Sequence, residues 1–307
     1  NFWWHKGSRT DFFFFLHIGP GKVFDTNKYY IIVADGLGLW GASKPSSSNP
    51  DQKTSYSLGL DFPQYSLEDC VQLMYRLLKD KLKINKLKLV TGVSMGGTLT
   101  YGWGVLHPEY VESIMPIGGT PYQDIGMARW IFDLMTSAIQ SDPIYRKHKG
   151  YYYDLPRSQR PIRGNMFGWS IIRHSAFVDE FRVKQGIPAY QLEAFDWEES
   201  QKTVDSNGKV PGYSSSLYEI SLIDSNDLIY RNRAQAAFNV VDQLHRIKAK
   251  TLIIHISTDQ WLKLHLAKTA QEKITNAKLL SFPDDKGHYA VFKAPTIFKK
   301  EIEEFLK

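Results

Sequence analysis

Residues 87–91 (Leu-Lys-Leu-Val-Thr) run into Gly92-Val93-Ser94-Met95-Gly96-Gly97, and a helix-length stretch continues to His107. A strand that reverses into a helix within so few residues needs small neighbours, because side chains at the flanking positions collide across the bend. The same turn holds its central residue in a strained backbone and sets Ser94 at a helix N-terminus. There the backbone N–H of Met95 is free to stabilise an oxyanion, which is worth roughly 3 to 4 kcal/mol per donor. A strand followed at once by a helix is also the beginning of a parallel crossover, which narrows the fold to a sheet covered by helices.

The rest of the chain repeats that rhythm. Short apolar, β-rich runs at 29–34, 87–91, 113–117, 251–256 and 278–281 alternate with amphipathic stretches at 66–81, 96–107, 261–274 and 295–306. The runs predict a mainly parallel sheet with both faces covered. Residues 120–234 break the pattern with many aromatics, scattered Pro and Gly, and helix-like segments at 126–141, 164–183 and 227–243. They predict a helical cap inserted between two parts of one core, giving 1–119 as first part with the nucleophile turn, 120–234 as cap and 235–307 as last part. Residues 200–216, rich in Ser, Gly, Asn and Lys, predict a loop within the cap.

Composition excludes several classes. At 307 residues, 43% hydrophobic and 14% aromatic, the chain has the makings of a large core. Its longest apolar runs fall well short of the ~20 residues a membrane-spanning helix needs, so no membrane span is expected. The formal charge of +6 is scattered, and the densest basic tract, 79–88, reads as a solvated helix end rather than a nucleic-acid patch. No nucleic-acid motif is present, so no such partner is expected. The single cysteine, Cys70, excludes an internal disulfide and a thiolate metal cluster, and its helical context predicts a buried structural thiol. The chain starts at Asn1 with no recognisable leader, which leaves the compartment open: cytoplasmic is favoured, with an organelle or export if a leader was removed.

A serine hydroxyl becomes nucleophilic when a histidine takes its proton and an acid orients that histidine. Asp259 follows the strand 251–256 in Ser257-Thr258-Asp259-Gln260-Trp261, and His288 follows the last strand in Lys286-Gly287-His288-Tyr289. The order Ser, Asp, His and the two loop positions select Ser94, Asp259 and His288 as the catalytic set, with Met95 as an oxyanion donor. Among the competitors, His255 lies inside a strand, His107 precedes a proline, and His148 and His174 belong to the cap. Asp284 and Asp285 compete with Asp259 but read as solvated loop carboxylates.

These residues resemble the homoserine O-acetyltransferases and their hydrolase relatives in the α/β-hydrolase superfamily. The resemblance runs through Ile18-Gly19-Pro20-Gly21-Lys22-Val23-Phe24-Asp25-Thr26, the strand at 29–33 and Val93-Ser94-Met95-Gly96-Gly97. It continues through 138–143, 225–231, 238–240, Ser257-Thr258-Asp259 and Gly287-His288. It implies ping-pong acyl transfer: Ser94 takes an acyl group from acetyl-CoA or another thioester or ester, and His288 then activates an alcohol or water. No bound cofactor and no metal are implied. The transferases carry Asp directly after the catalytic His, where it meets the amino group of homoserine, whereas this chain has Tyr289. The segment 35–45 is also closer to that of the hydrolase relatives. Both departures lean away from homoserine.

The family's first strands and its second oxyanion loop fall before Asn1, and one of those strands is central, between 29–34 and 87–91. The expectation is that the sequence read here is incomplete or that a second polypeptide, or a homodimer, completes the sheet; direct pairing of 29–34 with 87–91 would contradict it. Two further readings stay open. One is a catalytically silent structural or interaction subunit of the same fold. The other is nucleotide binding through Gly36-Leu37-Gly38-Leu39-Trp40-Gly41, which lacks the helix such a loop requires. Trp130, Tyr151, Tyr152, Tyr153, Arg157, Arg173 and Arg231 are cap residues that compete for an acceptor pocket. Helix placement favours Arg173 for a carboxylate contact, with Tyr289 as a second substrate-binding candidate.

Overall fold

A computed structural model describes residues 17–38, 42–47, 57–124, 127–156, 159–161 and 223–307. Within them four parallel strands form one sheet in the order β1 (Val90–Val93), β2 (Ser113–Ile117), β3 (Lys250–Ile256) and β4 (Ala277–Phe282). The core strands are continuous apolar runs, as burial on both faces demands: all five residues of β2 are buried, and so is β3 beyond Lys250.

Helix α1 (Leu67–Arg76) packs against α2 (Met95–Leu106), and α2 stacks on strands β1 and β2. A reciprocal cap starts α1: the Asp69 N–H donates to Ser66 Oγ at 3.1 Å, and the Ser66 N–H donates to Asp69 Oδ2 at 2.8 Å. The helix reaches Lys81 as expected, its last turn widening from α into a π-turn at Leu77–Lys81. Every α2 residue up to Val105 is buried. A Cβ on Gly102 would meet Val71 at 3.2 Å and one on Gly104 would meet Ile114 at 3.1 Å, so both glycines let α2 lie close to its neighbours.

The connection from β2 to β3 spans the segment where the cap is expected. Its described parts are α3 (Met127–Gln140), α4 (Pro143–His148) and α5 (Ser225–Ala237), with a cluster of Ile131, Met135, Ile139, Tyr145, Tyr152, Leu228 and Ile229 between them. The helix expected to reach 243 stops at Ala237, because Asn239 leaves the helix to bridge Tyr122. After β3, α6 (Leu264–Lys273) begins three residues later than expected, because the Asp259 carboxylate holds the Trp261 and Leu262 N–H groups in a turn. The C-terminal helix is broken at Phe298 into α7 (Ala294–Ile297) and α8 (Lys299–Phe305). The cap segments expected at 164–183 and 200–216 lie outside the described residues.

One expected strand does not form. Residues 29–34 carry no ladder, and no backbone–backbone hydrogen bond among the described residues involves 30–34. They do not pair with 87–91 either: a cavity of about 430 Å³ separates the two segments. The composition is that of a strand, but a strand needs a neighbour at ~4.8 Å to form its ladder. No described helix is long and apolar enough to cross a membrane.

Candidate active site

The turn after β1 has the strain that its glycines anticipate. Ser94 sits at φ 54° and ψ −117°, a left-handed backbone that a side chain rarely adopts. Its N–H donates to the Ile117 carbonyl at 2.9 Å, so the end of β2 holds the turn in place. The packing leaves no room for larger neighbours. A Cβ on Gly92 would lie 2.6 Å from the Gly96 backbone, and one on Gly119 would lie 2.2 Å from Gly97. Met95 is the first residue of α2, where no intrahelical acceptor serves its N–H.

From the other end of the sheet, two loops bring in the remaining groups. Ser94 Oγ lies 2.7 Å from His288 Nε2, and His288 Nδ1 lies 2.5 Å from Asp259 Oδ2. His288 is 5% exposed and Asp259 3%, so the relay is shielded from water. Asp259 Oδ1 accepts from the backbone N–H groups of Trp261 at 2.8 Å and Leu262 at 2.9 Å, which fixes the plane of the carboxylate. His288 lies on a 3-10 turn, Gly287–Phe292, entered through Gly287 at φ 49°. A carboxylate only accepts, so Nδ1 carries the imidazole proton and Nε2 is left to accept from the serine hydroxyl.

Three contacts that the sequence reading missed support this set. Thr258 Oγ1 donates to the Asp284 carbonyl at 2.6 Å and accepts from the Asp284 N–H at 2.9 Å, which ties the acid loop to the histidine loop. The Trp261 ring packs 5.0 Å from that of His288 and 5.6 Å from that of Phe132, joining cap to relay. Asp227 on α5 accepts from the Ser46 N–H at 2.8 Å and from its hydroxyl at 2.6 Å, which fastens the loop at 42–47 to the cap. Burial first, and Asp224 beside it second, push the Asp227 carboxyl up to about 7. No spacing rule points to these three; each joins segments far apart in sequence or depends on ring orientation.

The competing groups are occupied elsewhere. His255 is fully buried, with its pKa lowered by desolvation, and its Nε2 lies 2.7 Å from the Leu262 carbonyl. His107 stacks on Tyr75 at 3.8 Å. Asp284 pairs with Lys293 and caps the Lys286 N–H. Burial pushes the Cys70 thiol up to about 12, the environment of an inert structural cysteine. Tyr289 is half-buried next to His288. Of the cap candidates, Tyr152 and Tyr153 both donate to Asp224 Oδ1 at 2.8 Å, and Arg231 is buried against Asn232 and Met135. Trp130 and Tyr151 are more than half exposed. Arg157 and Arg173 lie outside the described residues.

No protein-family model matches the chain. Among curated proteins, a homoserine O-acetyltransferase of Methanosalsum zhilinae is 31% identical over 84% of this chain and 52% of its own length. The chain thus spans about half the length of the curated relatives it matches first. Among solved structures, esterase E22 superposes with a TM-score of 0.79 at 26% identity, covering 96% of this chain and 82% of the esterase. The homoserine O-acetyltransferase of Bacillus anthracis superposes at 0.78 with 23% identity, covering 95% and 80%. The chain therefore has the α/β-hydrolase fold, and its sequence is similar to the homoserine O-acetyltransferases.

Proposed function

We propose that the protein is a serine-dependent acyl-transfer enzyme, with hydrolysis of a small ester or thioester ahead of acetyl transfer to an alcohol. The observation that carries this reading is the unbroken relay from Ser94 Oγ through the imidazole of His288 to Asp259, at 2.7 and 2.5 Å. In the first half-reaction Ser94 Oγ bonds to the acyl carbon while its proton passes to His288 Nε2. The carbonyl oxygen becomes an oxyanion facing the Met95 N–H, and Asp259 balances the imidazolium. Collapse breaks the bond to the leaving alkoxide or thiolate, which takes the proton from Nε2, and an acyl-Ser94 ester remains. Water or an alcohol then gives its proton to Nε2, attacks the ester, and releases the acid or new ester with Ser94 restored.

The acyl donor, acetyl-CoA or a simple ester, arrives as a diffusible substrate. Tyr289 supports water or an uncharged alcohol over homoserine as acceptor, because a phenol does not offer the charge that an ammonium group attracts. Product analysis with p-nitrophenyl acetate or acetyl-CoA as donor, with and without homoserine, tests the reading. Acetate as the main product in both cases is the expected result. Stoichiometric O-acetylhomoserine overturns the preference for hydrolysis, and no turnover of either donor by folded protein overturns the enzymatic reading.

A further inference from the structure

The basic tract at the end of α1 holds more than charge. Between 76 and 88 stand Arg76, Lys79, Lys81, Lys83, Lys86 and Lys88, against Asp80 as the one anion, so this short stretch carries most of the chain's formal +6. All six cations are exposed. Cations at a helix C-terminus offset its dipole, which accounts for Lys79 and Lys81, and Glu112 pairs with Lys86 and Lys88 at 3.8 and 3.5 Å. Neither explains the leucines among them: Leu73 is 47% exposed, Leu77 42% and Leu82 46%.

The backbone lines these three leucines up. The Leu77 N–H donates to the Leu73 carbonyl one α-turn back, and the Leu82 N–H donates to the Leu77 carbonyl at 3.1 Å one π-turn back. In an α-helix Leu82 would fall off the line through Leu73 and Leu77, because five residues overshoot a turn of ~3.6. The wider turn at 77–81 returns it to that line. The result is an apolar stripe of three turns, with Arg76, Lys81 and Lys83 beside it in sequence. This tract leads into the start of β1 and Ser94 follows its end, so the two lie at opposite edges of the parallel sheet.

Clustered cations alone suit any polyanion, and exposed leucines alone suit any apolar surface; together they narrow the occupant. A second copy of the chain would set like cations against one another. Nucleic acid stacks its bases on aromatic rings and gains little from leucines. An anionic bilayer matches both features: the leucines enter the acyl boundary, while the lysines keep their ammonium groups among the headgroup phosphates at the end of apolar stems. We propose that Leu73, Leu77 and Leu82, with the cations of 76–88, form a surface that docks the protein on a bilayer rich in anionic lipid. Docked in this way, the Ser94 edge of the sheet faces the aqueous phase. The docking holds whatever reaction Ser94 performs.

Flotation of the intact protein with large vesicles tests this, using equimolar phosphatidylcholine and phosphatidylserine or phosphatidylcholine alone. The expected result is saturable binding to the mixed vesicles, binding to phosphatidylcholine at least tenfold weaker, and release by high salt. Lys81→Gln with Lys83→Gln is expected to weaken binding about 25-fold, at about fivefold per lysine. Leu77→Ser with Leu82→Ser is expected to weaken it at least tenfold, and both variants keep the parent's melting temperature. Cys70 is the chain's one cysteine and is buried, so Leu82→Cys takes a single environment-sensitive NBD label. Its emission is expected to rise on the mixed vesicles, whereas that of the same label on Ser137→Cys, exposed on α3, stays constant. No binding by folded protein, equal binding to both vesicles, full binding by the leucine variant, or constant emission from the Leu82→Cys label overturns the proposal. A parent dimer that Leu77→Ser with Leu82→Ser dissociates assigns the stripe to a second copy. Tighter binding to a DNA duplex than to mixed vesicles, lost with the lysines and kept without the leucines, assigns the tract to nucleic acid. Either also overturns it.

Discussion

Replacing Asp259 by asparagine exchanges one oxygen for an NH₂, and the contacts on the other oxygen decide which way the amide faces. Oδ1 accepts from two buried N–H groups, those of Trp261 and Leu262. Turning the NH₂ toward them would strand two donors at about 1 to 3 kcal/mol each, so the amide oxygen stays there and the NH₂ faces His288 Nδ1. A donor at that position forces Nδ1 to accept, which moves the imidazole proton to Nε2. Nε2 then donates to Ser94 Oγ across the 2.7 Å contact instead of taking its proton. The geometry survives while the base is lost, a change worth about 10⁴ in kcat, or roughly 5.5 kcal/mol. Initial-rate hydrolysis of p-nitrophenyl acetate measures the loss, thermal melting checks that the variant is folded, and nitrogen-15 NMR of His288 reads the tautomer. A folded variant within tenfold of the parent, or one whose His288 keeps its proton on Nδ1, refutes the reasoning.

Other perturbations test neighbouring parts of the account. The Asp227 carboxyl is raised to about 7 in the folded protein, against about 3.9 when unfolded. Between those values the folded state holds a proton that the unfolded state has released, so the stability contributed below about pH 4 is lost as pH rises toward 7. Asp227→Asn is expected to flatten that decline and melt higher than the parent at pH 8, and an unchanged slope in melting temperature against pH contradicts the assignment. Gly119→Ala puts a methyl group 2.2 Å from the Gly97 backbone. It is expected to cost about 1 to 3 kcal/mol in urea unfolding, and displacing the Ser94 turn lowers kcat by about 10²-fold. Wild-type kcat in that variant shows that the turn tolerates the shift. Tyr289→Asp supplies a negative charge beside His288 and is expected to raise the share of acyl groups transferred to homoserine rather than water, measured by mass spectrometry of the products.

The strand-to-helix turn at Ser94 was legible because it is written in contiguous residues: an apolar run, glycines at fixed offsets and an apolar helix. The acid and histidine were selected by their order and by lying just past strands. Contacts across the sequence were not legible. Thr258 reaches Asp284 only because β3 and β4 run side by side, and Asp227 meets Ser46 only once α5 lies over the loop. Helix ends slipped where a side chain competes with the helix for N–H groups, as Asp259 does at the start of α6. Residues 29–34 have the composition of a strand, but composition does not supply the neighbour that makes one.

The central claim is that Ser94 is a nucleophile activated by His288. Intact-mass and peptide mass spectrometry after treatment with a fluorophosphonate measures it most directly, on the parent and on Ser94→Ala and His288→Ala variants. The account predicts one adduct per chain, located on Ser94, abolished in Ser94→Ala and slowed at least 10²-fold in His288→Ala. A folded parent that remains unlabelled, or an adduct that persists in Ser94→Ala, contradicts it.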